Sequence, residues 1–266
     1  MKRFVLSSPP GPQGMIRLYE NDYHYLVRVR RLKPGMCFDA LLPDGKETCI
    51  RILSTVDNIL IGECLSGVEK QKSPAPPITL FQGLPKGAKI DLIIRQAAEG
   101  AVSLVVPFIS EYSAVKLNKD SPETFFTGKI KRWERIVREA RQQSGSSIQT
   151  NIFPLGAVES VLEFWESIKK EYQKPVGFLF HQEPLEKGSF HEYLGNNPDY
   201  VALAVGPEGG FSPREVSLFL AAGFKALVMG NTVLRCETAA LYGTAAIRII
   251  LLENNIWTAS LAESSS

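Results

Sequence analysis

Residues 200–224 constrain this chain more than any other stretch, because strand, glycine turn and helix follow one another without a break. Tyr200-Val201-Ala202-Leu203-Ala204-Val205 is short, apolar and turn-bounded, which predicts a strand buried on both faces. Ser212-Pro213-Arg214-Glu215 then opens a helix. Ser212 is a good N-cap, Pro213 suits the first helical position, and Glu215 can reach back to close a capping box. Val216, Phe219 and Leu220 follow at helical spacing, and Gly223 can end the helix in a left-handed conformation. Between them lies Gly206-Pro207-Glu208-Gly209-Gly210. In an open α/β sheet, that carboxyl end of a strand is where ligands bind.

The rest of the chain agrees with an α/β reading. At 266 residues it can bury a good core in one or two domains, and 44% hydrophobic with 22% charged residues excludes wholesale disorder. No apolar run reaches transmembrane length, and residues 1–9 hold too few apolar side chains for a signal peptide. The expectation is a cytoplasmic protein without a membrane partner. Cys37, Cys49, Cys64 and Cys236 show no C-x-x-C pairing and no clustering with His24, His181 or His191. Ordinary buried thiols are expected, with no metal and no disulfide framework.

A boundary falls in the proline-dense run 70–77, with 73–77 as a stiff linker. Before it, over 1–72, β-like runs at 3–6, 37–42, 48–53 and 59–65 alternate with turn dipeptides such as Pro34-Gly35 and Asp44-Gly45. This predicts a small β-barrel with one short helix near 22–32. Over 78–255, strands at 78–82, 103–106, 176–181, 200–205 and 226–229 alternate with helices near 86–99, 122–144, 158–173, 213–222 and 238–253. That alternation predicts a mostly parallel sheet covered on both faces. Residues 256–266 form a tail ending in a serine run, Ser264-Ser265-Ser266.

Charge is uneven. Residues 1–72 carry eleven Lys/Arg against eight Asp/Glu, a net of +3; the remainder carries 19 against 20. Arg28, Arg30, Arg31 and Lys33 lie within six residues and suit an auxiliary RNA contact or, equally, a solvated helix end. The helix over 122–144, capped by Ser121-Pro122, brings Lys131, Arg135, Arg138 and Gln142 to one face, either a phosphate-contacting stripe or a solvated face shared with Glu134 and Glu139. The last helix has one charge, Arg248, in residues 238–252. Such a helix needs cover on nearly all sides, from a second subunit or from the rest of its own chain.

The glycine turn lacks the lysine and Ser/Thr of a phosphate-binding P-loop and the G-x-G-x-x-G of a dinucleotide fold. Glu208 in its middle would oppose a pyrophosphate. A ligand carrying cationic groups, or a tight turn with no ligand, remains. A second strand–loop–helix junction, Met229-Gly230-Asn231-Thr232-Val233-Leu234-Arg235-Cys236-Glu237-Thr238, is expected beside it at the same sheet edge. Glu237 at a helix N-terminus is explained by capping alone. Arg235 is not: a cation there is electrostatically unfavourable, so it is read as functional.

These two segments, "VGPEGGFSPRE" and "MGNTVLRCETAALYG", resemble the 16S ribosomal RNA uridine-1498 N3-methyltransferases of the SPOUT superfamily. So do "KRFVL", "VRRLKPGM", "KGAKIDLIIRQAAEGAVSLVVPFISEYS" and "KRWERIVREARQQSG", which extend the likeness over roughly residues 1–253. The resemblance implies an N-terminal PUA-like β-barrel for RNA and a C-terminal SPOUT domain with a trefoil knot. It also implies a homodimer, and S-adenosyl-L-methionine bent between knot loops. Carried over residue by residue, the cofactor site would comprise Phe180, His181, Glu183, Val205, Gly206, Pro207, Glu208, Gly209, Gly210, Met229, Gly230, Val233, Leu234, Arg235 and Thr238. Arg235 would stabilise the charge that develops on the uridine, and Glu237 would either orient Arg235 or accept the proton. Arg3, Arg28, Arg30, Arg31, Lys131, Arg135 and Arg138 would hold 16S rRNA of the small ribosomal subunit.

The sequence departs from the family pattern at 96–101, and Ser146 and Thr232 stand where arginines are usual. A SPOUT enzyme acting on transfer RNA or another base atom, and a ribosome-assembly factor without catalysis, are the competing readings. The retained Arg235-Cys236-Glu237-Thr238 speaks against the latter.

Overall fold

The computed structural model describes residues 3–65, 75–114, 122–183 and 188–263. In chain order its elements are β1 (Phe4–Val5), β2 (Met15–Leu18), α1 (Glu20–Tyr23), β3 (Cys37–Leu41), β4 (Glu47–Val56), β5 (Ile59–Leu65), β6 (Ile78–Gly83), α2 (Lys89–Glu99), β7 (Leu104–Ile109) and α3 (Pro122–Ser144). There follow β8 (Asn151–Ile152), β9 (Gly156–Ala157), α4 (Val158–Glu171), β10 (Pro175–Phe180), α5 (Phe190–Leu194), β11 (Tyr200–Val205), α6 (Pro213–Ala221), β12 (Lys225–Leu227) and α7 (Cys236–Glu263). The expected linker start at 70–74, the Ser121 cap and the serine tail lie outside the described residues. The chain divides into two compact units, Met1–Lys72 with Arg138–Gln149 and Ser73–Val137 with Thr150–Ser266.

In the first unit a five-stranded sheet runs β1-β3-β4-β5-β2, β1 parallel to β3 and all other neighbours antiparallel. Alternation along β4 buries Thr48, Ile50 and Ile52 while Arg51 and Leu53 face out, so one side of the sheet gathers a core with Phe4, Leu26, Phe38 and Leu60. A bulge between Ile52 and Ser54 bends β4, and the sheet curls into a half-barrel. Gly62 permits the tight β4–β5 approach: a Cβ there would lie 2.8 Å from Ile50 Cγ2. Edge strand β1 is covered by the end of α3, where Gln142 Oε1 accepts from the Val5 amide (2.7 Å) and Gln142 Nε2 donates to Arg3 O (3.0 Å). The helix expected over 22–32 is instead α1 followed by a π-helical turn, His24–Val29, and Arg31 leaves it at φ 56°.

In the second unit the sheet order is β12-β10-β11-β6-β7-β8, with β9 also on β7, and every pairing is parallel. All six residues of β11 are buried, as an apolar run between two covered faces requires. On one face Phe81, Phe108, Leu179, Ala202 and Ala204 pack against Val161 and Trp165 of α4 and Val216 and Phe219 of α6. On the other, α7 packs on α2, α5 and the β6–β11 pair. Gly243 is what lets α7 lie so close: a Cβ there would sit 2.5 Å from both Leu203 Cδ2 and Phe180 Cε2. Asp91 in the first turn of α2 accepts from Arg132 Nη2 (2.5 Å) and Trp133 Nε1 (3.1 Å), seating α3 on α2.

One expectation needs correction. Of the four cysteines only Cys236 is buried; Cys37 is exposed because it alternates outward on β3. Arg141 of α3 is 4% exposed. It lies on the helix face that buries Trp133, Val137 and Ala140.

Candidate active site

Strands β10, β11 and β12 are neighbours and parallel, so their carboxyl ends share one sheet edge. The segments that leave those ends, 181–183, 206–210 and 228–235, therefore lie side by side and line a cleft of about 1290 Å³. The cleft collects Phe180, His181 and Glu183, the whole of Gly206 to Gly210, Met229, Gly230, Val233, Leu234 and Arg235. Thr238 and Glu237, expected with them, lie on the first turn of α7 and are not among the lining residues described.

Most glycines of the 206–210 turn serve the protein's own packing. A Cβ on Gly206 would lie 2.9 Å from the Gly210 carbonyl carbon, and one on Gly209 would lie 2.9 Å from Tyr112 Cβ. From the neighbouring strand, a Cβ on Gly83 would strike Pro207 at 2.6 Å. What approaches this main chain so closely is first of all the protein's own chain, backbone at Gly206 and the Tyr112 side chain at Gly209. Gly210 (φ 71°) and Gly230 (φ 82°) differ: both need a positive φ, and a Cβ on either would meet no protein atom within 4 Å.

The turn is anchored from below. Ser212 and Glu215 form the expected capping box, with Pro213 at the first helical position. Glu215 is fully buried, and its carboxylate accepts from the Ser212 amide (2.9 Å), Ser110 Oγ (2.9 Å) and the Glu111 amide (3.0 Å). The cap thereby also fixes the loop after β7.

The Glu208 carboxylate, read from the sequence as facing a ligand, turns toward α2. It accepts from Lys89 Nζ at 2.6 Å and from the Lys86 amide at 3.2 Å. Burial would raise its pKa, but the Lys89 hydrogen bond and the backbone donors hold it below the usual carboxylate range. Lys89 also stands 3.9 Å from Glu237 Oε2. Glu237 is held ionised too: its own backbone N–H outweighs burial, and the Cys236 thiol, Lys89 and Arg235 add to it. The Cys236 thiol donates to Glu237 Oε2 (3.2 Å), and burial followed by that bond pushes its pKa up to about 12. Arg235 is exposed at the cleft, and among the described residues it forms no ion pair. It does not pair with Glu237. His181 Nδ1 accepts from the Glu183 amide (3.1 Å), shaping the third segment.

Lys89 is the residue that sequence reasoning missed. The signal available was the one used for Arg235, a cation at a helix N-terminus. Of the expected RNA contacts, Arg28, Arg31, Lys131, Arg135 and Arg138 are exposed and Arg30 half-buried, while Arg3 pairs with Glu47 at 2.9 Å.

The parallel sheet and the three segments at its carboxyl edge, two of them bearing glycines, lie within residues 71–248, which match the family model described as an RNA methyltransferase domain. The ribosomal RNA small subunit methyltransferase E of Synechocystis sp. is 30% identical over 253 residues, covering 94% of this chain and 78% of that protein. Its namesake from Aquifex aeolicus is 33% identical, covering 80% of this chain and 85% of its own length. A crystal structure of the Neisseria gonorrhoeae enzyme of the same name, bound to S-adenosyl methionine, superposes with a TM-score of 0.73. It is 25% identical, covering 94% of this chain and 98% of that one. The chain belongs to the ribosomal RNA small subunit methyltransferase E family.

Proposed function

We propose that this protein methylates N3 of one uridine, the equivalent of U1498, in 16S ribosomal RNA, using S-adenosylmethionine. The observation that carries the reading is an exposed Arg235, without an ion pair among the described residues, at a cleft built from three adjacent loops of a family member. The cleft fits the cofactor: open space faces the positive-φ glycines 210 and 230, no lysine or arginine lies in 206–210, and Phe180 and Val205 offer apolar walls to a purine. Backbone groups of Gly206, Gly230 and Leu234 would hold the adenine and ribose. When bound, the cofactor supplies a methyl group already activated on sulfonium, so the protein's task is alignment.

The uridine N3 carries a proton in the neutral base and must lose it to become nucleophilic. As it does, negative charge spreads onto the flanking carbonyl oxygens, and the Arg235 guanidinium stabilises that charge. The proton passes to solvent water in the open cleft, while Glu237, which accepts from the Cys236 thiol at 3.2 Å and lies 3.9 Å from Lys89, serves the electrostatics of the loop–helix junction. The base must be unstacked to present N3, an edge used in pairing. In this reading the barrel within 1–72 and the exposed basic residues of α3 hold the RNA, residues 78–255 carry catalysis, and loops 206–210 and 228–235 belong to the family's trefoil knot. Among the described residues no helix is long and apolar enough to cross a membrane, and work on ribosomal RNA belongs to the cytoplasm.

The reading includes a homodimer. One side of α7 buries Cys236, Ala240, Ile247 and Leu251, while Leu241, Tyr242 and Ile249 are 37%, 56% and 55% exposed. A second copy is the expected cover. Mass mapping of 16S ribosomal RNA from cells with and without the protein tests the activity: loss of one methyl from one uridine is expected, and an unchanged map would overturn it. Light scattering at micromolar concentration tests the assembly, with a monomer as the refuting result.

A further inference from the structure

Lys89 is the first residue of α2, where the positive end of the helix dipole disfavours a cation. Its ammonium is held by carboxylates from both glycine-bearing junctions. Glu208 comes from the 206–210 turn, at 2.6 Å, and Glu237 from the first turn of α7, at 3.9 Å. Two carboxylates drawn toward one point repel unless a cation stands between them. The Lys86 amide adds a second tie from the same turn to Glu208. The hydrogen bond that Lys89 donates to Glu208 raises the Lys89 pKa above its ordinary value, so the ammonium is charged at neutral pH, where the two carboxylates are ionised.

We infer that Lys89 is a positioning residue that latches the 206–210 turn to the start of α7 and thereby sets the width of the cofactor cleft. Its side chain is not among the lining residues described, so it acts through the loops. The inference rests on the S-adenosylmethionine reading only for what the cleft holds; the latch itself is a property of the cofactor-free chain.

Two readouts separate these. The Gly210 amide donates to Pro207 O (2.9 Å) and the Ala239 amide to Arg235 O (2.8 Å), so their hydrogen exchange in cofactor-free protein reports each junction. Calorimetric titration with S-adenosylhomocysteine reports the cleft. In Lys89→Met, exchange at both amides should quicken about tenfold. Affinity should weaken about fivefold, the scale of a partly exposed ion pair. Lys89→Arg should restore both, and Lys89→Met combined with Glu208→Gln should be no worse than Lys89→Met alone. Wild-type exchange at both amides in Lys89→Met overturns the latch, as does weakened affinity without faster exchange. If Lys89→Met fails to fold, Glu208→Gln carries the same readouts. If the wild-type protein takes up no S-adenosylhomocysteine, the cofactor reading fails, while the exchange rates still decide the latch.

Discussion

The two glycine-bearing junctions at the sheet edge are built in opposite ways. The 206–210 turn is fixed on its inner side: Gly206 and Pro207 are buried, Gly83 and Tyr112 press on it, and Glu215 secures its far end with three accepted hydrogen bonds. The 228–235 segment is the reverse. Gly230, Asn231, Thr232, Val233 and Arg235 are all exposed, Val233 at 76%. One junction is a wall in which Gly206 and Gly209 answer to internal packing, with Gly210 alone facing open space. The other offers its residues outward and is joined to the wall through Lys89. Glycine content alone would have ranked the two the other way, with the richer turn as the more adaptable.

The comparison can be broken first at the wall. Glu215→Ala strands Ser110 Oγ and two amides in a buried place, and should cost about 4 kcal/mol of stability. Urea denaturation checks this, and a loss under 1 kcal/mol would deny the wall its anchor. On the open side, Arg235→Ala should lower methyl transfer about 100-fold or more with melting unchanged. Near-normal turnover would remove Arg235 from the chemistry. Two alanine insertions into glycine sites sharpen the contrast. Gly83→Ala drives a methyl into Pro207 and should cost about 2 kcal/mol. Gly230→Ala meets no atom and carries only the strain of positive φ, about 1 kcal/mol. Equal losses would erase the distinction.

The smallest effect is on acid stability. Glu208 and Glu237 have pKa values held below the ordinary carboxylate range. Their contribution is complete above about pH 5 and is lost as pH falls through the lowered values. Both carboxylates are partly exposed and screened, so melting temperature should drop only slightly faster on acidification than in Lys89→Met.

The wall was legible in sequence because its causes are local. An unbroken apolar run marks β11, and Ser212, Pro213 and Glu215 announce α6 within four residues. Long, strongly patterned α3 was equally clear. What escaped notice was short or distant. β2 has four residues and β8 and β9 two each, too few to show a period. α5 carries a capping box, Ser189 and Glu192, over only five residues. Lys89 meets Glu208 from 119 positions away, and nothing near either residue predicts the meeting. The burial of Arg141 was legible, since it follows Trp133 and Val137 at helical steps.

Helix α7 carries at one end the junction residues Cys236 and Glu237 and, from the next turn on, the uncovered Leu241, Tyr242 and Ile249. Each residue of a helix turns the direction of everything beyond it by about 100°. Adding or removing one residue between Glu237 and Leu241 would swing the apolar stripe to another side while the junction stayed in place. The number of residues in that span is therefore as much a part of the design as their identity, and relatives should tolerate substitutions along it far better than insertions or deletions.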